Sequence, residues 1–306
     1  MFVLAHLSDP HLAPLPNVKL HELAGKRIGG FINWHRNRRR YHRPAVLEAI
    51  VADLKAHRPD HIAVTGDLVN LSLAAEFAPA RTWLEHLGSP AEVTLVPGNH
   101  DTYVRTAARH PELHWREYMS GDTKLSPHSA PASGGGSLFP FVRRRGPVAL
   151  IGLSSAVPAP FFRATGWLGP EQLAGLAQML ASLEREGVFR VVLIHHPPVI
   201  KPEKHHERLL DGEALLKVLR EHGAELVLHG HEHVHTVRLF DAPGRPVPAI
   251  GVPPASAASD SKGDPAAYNL YEIDGAPGAW RCTMVARGLR AGSEGIVELM
   301  RRQLMG

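Results

Sequence analysis

Five times in this chain an apolar run that reads as a β-strand stops on a short block of Asp, Asn and His. The blocks are Asp9-Pro10-His11, Gly66-Asp67, Gly98-Asn99-His100-Asp101, His195-His196-Pro197-Pro198 and Gly230-His231-Glu232-His233. This placement constrains the fold strongly. In open α/β sheets ligands bind where the strands deliver their carboxyl ends, so blocks far apart in the chain meet at one edge. The segments between them have the matching grammar. Residues 2–8 read as a buried strand. Pro44 opens a helix whose Val46, Leu47, Ile50, Val51 and Leu54 recur on one face, and Pro59 ends it. Strands over 61–65 and 92–96 flank a second helical pattern over 73–87. Strand–helix–strand–helix–strand predicts a parallel sheet with crossover helices.

The alternation resumes after residues 121–140, which are rich in Ser, Pro, Ala and Gly. That stretch reads as a mobile surface loop and not as a domain linker. Its Gly-rich run at 133–137 lacks the G-x-x-x-x-G-K-[ST] order of a phosphate-binding P-loop. Strands follow at 148–153, 190–194 and 226–228, with helices over about 170–186 and 212–222. Shorter strand-like runs lie near 234–240, 247–252, 268–273 and 280–285. The tail from about residue 286 is expected to end in a short helix. No repeat of fixed period is present, so residues 1–306 read as a single α/β domain with a basic, cap-like insert at about 14–43.

At 44% hydrophobic the chain can bury a substantial core. Cys282 is its only cysteine, which excludes an internal disulfide framework and a Cys-based zinc site. The N-terminus carries no basic stretch followed by a long apolar run and a small-residue cleavage site, and no apolar run is long enough to cross a bilayer. A cytoplasmic location is the expectation. The net charge of +4 suits an anionic substrate, although net charge acts mainly on solubility and encounter rate.

The blocks supply carboxylate, amide and imidazole donors without a thiolate, a set suited to hard-to-borderline metal ions. Asp9 and His11 are two residues apart, as are His231 and His233, a spacing that puts both side chains on one side of extended chain. An aspartate such as Asp67 has two oxygens and can bridge two cations, while Asn99 offers an oxygen without adding charge. Singly, Asp9 and Asp67 read as turn residues and His195 as a core histidine. Together the donors exceed what one ion can use, and the chain reads as a two-metal hydrolase.

In this order the blocks resemble the calcineurin-like metallophosphoesterase superfamily, whose pattern is D-x-H, G-D, G-N-H-[DE], an H before small or proline residues, and G-H-x-H. The resemblance spans roughly residues 1–240. It implies a four-layer αββα sandwich of two mixed β-sheets with a dinuclear metal site at the sheet edge. It assigns one metal to Asp9, His11, Asp67 and His233, and the second to Asp67, Asn99, His195 and His231. Asp67 and a water or hydroxide bridge the pair, and the metals are manganese, iron or zinc. His100 matches the family's non-ligand histidine, facing the phosphoryl group and helping the leaving alkoxide. Asp101, next in sequence, is expected to hold the His100 ring in one orientation. His196, His229 and His235 are expected to support the ligands or lie at the surface, and His205 and His206 to lie on a solvated loop.

Between the first two blocks, residues 29–43 are dense in cations. Ile28, Phe31 and Ile32 share one helical face, Trp34 and Tyr41 follow, and Arg36, Arg38, Arg39, Arg40 and Arg43 crowd the rest. This reads either as a solvated helix docked by a few apolar residues or as a cap that attracts phosphate-bearing substrates, nucleic acid or an anionic membrane surface. Arg38, Arg39 and Arg40 are the substrate-binding candidates. The resemblance is strongest to bacterial cyclic-nucleotide and glycerophosphodiester phosphodiesterases, and the basic insert departs from that plain pattern. A hydrolase of lipid-linked or nucleotide-sugar phosphoesters is the enzymatic alternative. A nuclease would need a nucleic-acid-binding module, which is not found. A non-catalytic scaffold would have lost ligands or the His100 equivalent, and none is lost.

Overall fold

The computed structural model describes residues 1–122, 138–199, 202–242, 244–260, 263–290 and 295–306. Two six-stranded mixed sheets form its centre. The first sheet contains β1 (Phe2–Leu7), β2 (His61–Val64) and β3 (Val93–Leu95). The second runs through β4 (Phe141–Arg145), β5 (Val148–Gly152), β6 (Phe189–Leu193), β7 (Leu226–His229), β8 (Thr236–Phe240) and β9 (Val247–Gly251). The chain then returns to the first sheet as β10 (Ala267–Asp274), β11 (Arg281–Leu289) and β12 (Ile296–Met305). The strand orders are β12-β11-β10-β1-β2-β3 and β4-β5-β6-β7-β9-β8. β1, β2 and β3 are parallel, as are β5, β6, β7 and β9, so their carboxyl ends share an edge.

The basic insert forms α1 (Lys26–Asn33), a π-helical turn over Trp34–Arg38 and a last turn, α2 (Arg39–Tyr41). The sheet-covering helices are α3 (Pro44–Ala56) and α4 (Ala74–Leu87), then, after the short α5 (His110–Trp115), α6 (Pro170–Glu186) and α7 (Gly212–His222). Leu47, Ile50 and Leu54 of α3 and Phe77 and Leu84 of α4 pack on Ile62 and Leu95. Leu176 and Leu180 of α6 and Leu215 and Leu219 of α7 pack on Val192 and Val227. Between the sheets, Leu4, Ala63 and Met284 meet Leu150, Val191, Leu228 and Ile250. Each such Leu, Ile or Val contributes roughly 1.5–3 kcal/mol by leaving water. The result is the expected αββα sandwich, and its three apolar interfaces hold the strand ends rigidly in place.

The tail corrects one expectation. β11 continues to Leu289, and Ile296–Met305 is an edge strand on β11 rather than a helix. Its Glu, Leu, Met, Arg and Gln are good helix formers, but the unpaired edge of β11 outweighs that local preference. Glu298, Arg301 and Arg302 charge the outer strand, which discourages further pairing. Most of the 121–140 loop, including the run at 133–137, lies outside the described residues. No described helix is long and apolar enough to cross a membrane.

His61 opens β2, fully enclosed, with Nε2 2.7 Å from the Thr94 hydroxyl. Burial, then Arg145 and Arg143, lower its pKa to about 3. The unfolded chain therefore binds a proton that the fold refuses. Stability is present in full above the ordinary histidine value of about 6.5 and is lost as pH falls toward 3. Between neutral pH and about pH 5 this group should cost the fold about 2 kcal/mol. Urea titrations of wild type and His61→Gln at both pH values check this. An equal pH slope in the two proteins would refute it.

Candidate metal centre

The blocks meet because the loops that carry them are tied together. The Asp9 and His11 amides donate to the carbonyls of Gly66 (3.0 Å) and Asp67 (3.1 Å). The His231 amide donates to Asp9 Oδ2 at 3.1 Å. Five of the seven candidate ligands hold a left-handed backbone: Asp9 (φ 51°), His11 (39°), Asp67 (56°), His231 (71°) and His233 (60°). Such conformations cost non-glycine residues roughly 1–3 kcal/mol each and cluster at functional sites. Two motif glycines permit the crowding. A Cβ at Gly98 would overlap the Asp67 carboxylate and amide, and one at Gly230 would overlap the Ser8 hydroxyl and the Asp9 carboxylate.

All seven candidate ligands converge. Donor atoms of Asp9, His11 and His233 lie within 4.8 Å of one another, as do those of Asp9, Asp67 and His195. Asp67 Oδ2 is 3.8 Å from His11 Nε2 and 3.5 Å from His195 Nε2, between the two groups. Asn99 Oδ1 stands 3.1 Å from His195 Nε2. His231 joins from the far side, its ring 5.1 Å from that of His195.

Backbone carbonyls set the rings. His195 Nδ1–H donates to the Thr65 carbonyl at 2.6 Å, His11 Nδ1–H to Val69 at 3.3 Å and His231 Nε2–H to Glu207 at 2.8 Å. Each bond leaves the other ring nitrogen as a lone pair, a tautomer suited to metal ligation. His195 Nε2 then faces the oxygens of Asn99 and Asp67, and buried Asp9 Oδ1 faces His233 Nε2 at 3.3 Å. A cation among them satisfies all these acceptors, so the residues fit a metal pair. Burial, then the charge of Asp9, push Asp67 well above the usual carboxylate range. Positive ions would offset that repulsion.

Asp101 does not orient His100. Its Oδ1 accepts the amides of Leu68 (2.9 Å) and Val69 (3.1 Å), and its Oδ2 those of Asp67 (2.9 Å) and Gly98 (2.8 Å). The side chain turns back toward its own loop and clamps the turns after β2 and β3. Burial, then the charge of Asp67, push it up to about 7, against the pull of the amides. The His100 ring is held instead by the Asn70 carbonyl, which accepts from Nδ1–H at 2.6 Å. Its face stacks on Tyr103 at 5.2 Å. Burial, then Arg38, keep His100 well below the ordinary histidine pKa, so the ring is neutral and Nε2 is an acceptor.

Of the three candidate arginines, Arg38 alone reaches this space. Its Nη1 donates to His100 Nε2 (3.0 Å) and its Nη2 to His11 Nε2 (2.9 Å). The π-helical turn is the cause. The Arg39 amide bonds back five residues to Trp34, and the extra residue rotates the helix phase. Arg39 points into a separate cavity with Leu15, Val18 and Trp34, and Arg40 is exposed. Arg143 is buried against carbonyls of Ser120, Pro90 and Val93, away from the site.

Two contributors escaped the motif reading. His42 lies buried with its ring 4.6 Å from that of His11, anchored by the Ser256 hydroxyl at 2.8 Å. Lys26 sits 4.4 Å over the Tyr103 ring, close enough to Asp67 to feel its charge. Both belong to the basic insert, where only their cationic character is visible in the sequence. His196 is bonded at both nitrogens, to Ser155 Oγ (2.8 Å) and the Ala164 carbonyl (3.0 Å), beside His195. His229 is buried, and His205 and His206 are exposed.

The calcineurin-like phosphoesterase model matches residues 2–235. The chain belongs to the calcineurin-like phosphoesterase family. It is therefore a phosphoric ester hydrolase. A protein of Synechococcus sp. described as a probable cyclic nucleotide phosphodiesterase is 27% identical over 237 residues, covering 76% of this chain and 79% of its own. The fold matches a dimetal phosphatase from Danio rerio with a TM-score of 0.59 at 12% identity, over 99% of this chain and 98% of that one. It also matches a purple acid phosphatase from yellow lupin with a TM-score of 0.56 at 11% identity, over 97% of this chain and 53% of that one. At these identities the structural likeness concerns the fold alone. The basic insert of this phosphoesterase sends Arg38 between His11 and His100.

Proposed function

We propose that this calcineurin-like phosphoesterase is a phosphodiesterase, with Asp9, His11, Asp67 and His233 holding one cation and Asp67, Asn99, His195 and His231 the other. The pair, when bound, supplies Lewis acidity and a water of lowered pKa. Manganese, iron and zinc all suit these donors. Arg38 Nη2 occupies the lone pair of His11 Nε2, which a bound cation would take over, freeing that donor for a phosphoryl oxygen or the departing alkoxide while Nη1 stays on His100. Neutral His100 accepts from Arg38 at Nε2 and keeps the guanidinium aimed. Its part is thus to aim the positive charge that faces the leaving oxygen, and Asp101 acts only through the loops it clamps.

The observation that carries the diester reading is a cavity of about 210 Å³ beside the ligands, lined by Arg38, His233, Asn33, Asn37, Tyr41 and His42 among others. A diester bears two organic arms on phosphorus, and this cavity offers room for the second. The description of the Synechococcus relative supports the same class. A lipid-linked or nucleotide-sugar phosphoester is the second reading, favoured by the apolar side chains on the outer side of α1.

With added manganese, iron or zinc, the protein should hydrolyse bis(p-nitrophenyl) phosphate at least about tenfold better in kcat/KM than p-nitrophenyl phosphate, about 1.4 kcal/mol of transition-state preference. Arg38→Ala should lower kcat about 10²–10³-fold. Arg38→Lys should recover only part, because an ammonium cannot span both positions. Arg39→Ala and Arg40→Ala should stay close to wild type. No turnover with any of the three metals, or an Arg38→Ala enzyme as fast as wild type, would overturn the reading.

A further inference from the structure

We propose that the outer face of α1, the turn before it and the 160–163 tip form a docking surface for an anionic lipid bilayer, seating the metal centre beside the headgroups. The charge distribution is the first ground. Residues 14–43 hold eight Lys and Arg against the single Glu22. The segment thus carries seven net positive charges, and the remaining 276 residues, with 26 basic and 29 acidic, carry a net of −3. All of the excess positive charge of the protein lies in this one insert. Among the described residues, Arg36, Arg39 and Arg40 pair with no carboxylate, whereas Arg43 meets Asp260 at 3.4 Å.

The second ground is apolar exposure on the same surface. Ile28 and Ile32 are 53% and 44% exposed, one turn apart on α1. Arg36 continues at the same four-residue spacing and is also exposed. Leu20, in the 3₁₀ turn before α1, is 89% exposed. Phe161 and Phe162 are 54% and 93% exposed. Phe162 has φ 59°, an outlier for a bulky residue, and its side chain stands in solvent. The tip adjoins the start of α1, where Lys26 Nζ donates to the carbonyls of Ala159 (3.3 Å) and Arg163 (2.9 Å).

Apolar side chains set among unpaired cations match the acyl–headgroup boundary, where the aliphatic groups insert and the cations meet lipid phosphates. A nucleic-acid backbone would use the cations and leave Leu20, Ile28 and Ile32 in water. The inner side of the same helix carries Lys26 and Arg38 toward the metal ligands. Docking therefore brings the site close to the bilayer.

The test is co-sedimentation of the full chain with vesicles of phosphatidylcholine alone and of phosphatidylcholine mixed equally with phosphatidylglycerol. Binding is expected to the mixed vesicles only, and to weaken as salt is raised. Phe161→Ser/Phe162→Ser, Ile28→Ser/Ile32→Ser and Arg36→Glu should each lower it about tenfold with unchanged melting temperature, since these side chains are exposed. No binding to mixed vesicles, equal binding to neutral ones, undiminished binding by the serine variants, or tighter binding to an RNA oligonucleotide than to vesicles would overturn the proposal. None of these readouts depends on turnover.

Discussion

Asp67→Asn is expected to reduce the metal content from two ions per chain to one or none, and to lower kcat/KM on a diester about 10⁴-fold. Asp67 Oδ2 lies within reach of both proposed ligand sets, 3.8 Å from His11 Nε2 and 3.5 Å from His195 Nε2. Its other oxygen accepts the His100 amide at 2.7 Å, which fixes the carboxylate plane. Asparagine keeps one oxygen and the shape but removes the charge that, on the proposed assignment, would hold two cations together. The metal-free protein should respond differently. Because burial and Asp9 raise the folded-state pKa of Asp67, its ionisation disfavours the fold, and stability falls as pH rises from the unfolded value through the folded one. In a chelator at mildly alkaline pH, Asp67→Asn should therefore melt no lower than wild type. With metal added, wild type should gain more stability than Asp67→Asn. Elemental analysis and melting curves check both halves. Two retained ions in the variant would remove Asp67 from the bridging role.

Asp101→Ala is expected to be the most destabilising single change at the site, costing about 3–5 kcal/mol and roughly 10 °C in melting temperature. Four amides from two loops converge on one carboxylate, and alanine leaves all four enclosed without a partner. Asp101→Asn should not rescue, because its NH₂ would point donors at donors. His100→Ala, by contrast, leaves the clamp intact and should melt near wild type. A loss below about 1 kcal/mol for Asp101→Ala would show that the turns after β2 and β3 hold themselves.

The strand-end blocks and the crossover helices were legible because their signals are local. Alternation, helical spacing and the Pro44 start occupy a few neighbouring residues each. The site chemistry was less so. Asp101 sits beside His100 in sequence, yet it bonds to amides as far away as Asp67 and leaves the ring to the Asn70 carbonyl. The last strand has a helix former's composition and was decided by the open edge of β11. The left-handed turns at Asp9 and His11 carry no glycine to announce them.

Chain order and residue type alone determined that carboxylates, an amide and imidazoles would gather at one sheet edge, because parallel strands all end on the same side. Which arginine enters the site was decided only in three dimensions. Arg38, Arg39 and Arg40 are consecutive and chemically alike. A single π-helical turn, stabilised by the packing of Trp34 and His42 against the body of the fold, rotates one of them inward and leaves its neighbours outside. Helix phase of that kind depends on contacts that adjacent residues do not encode.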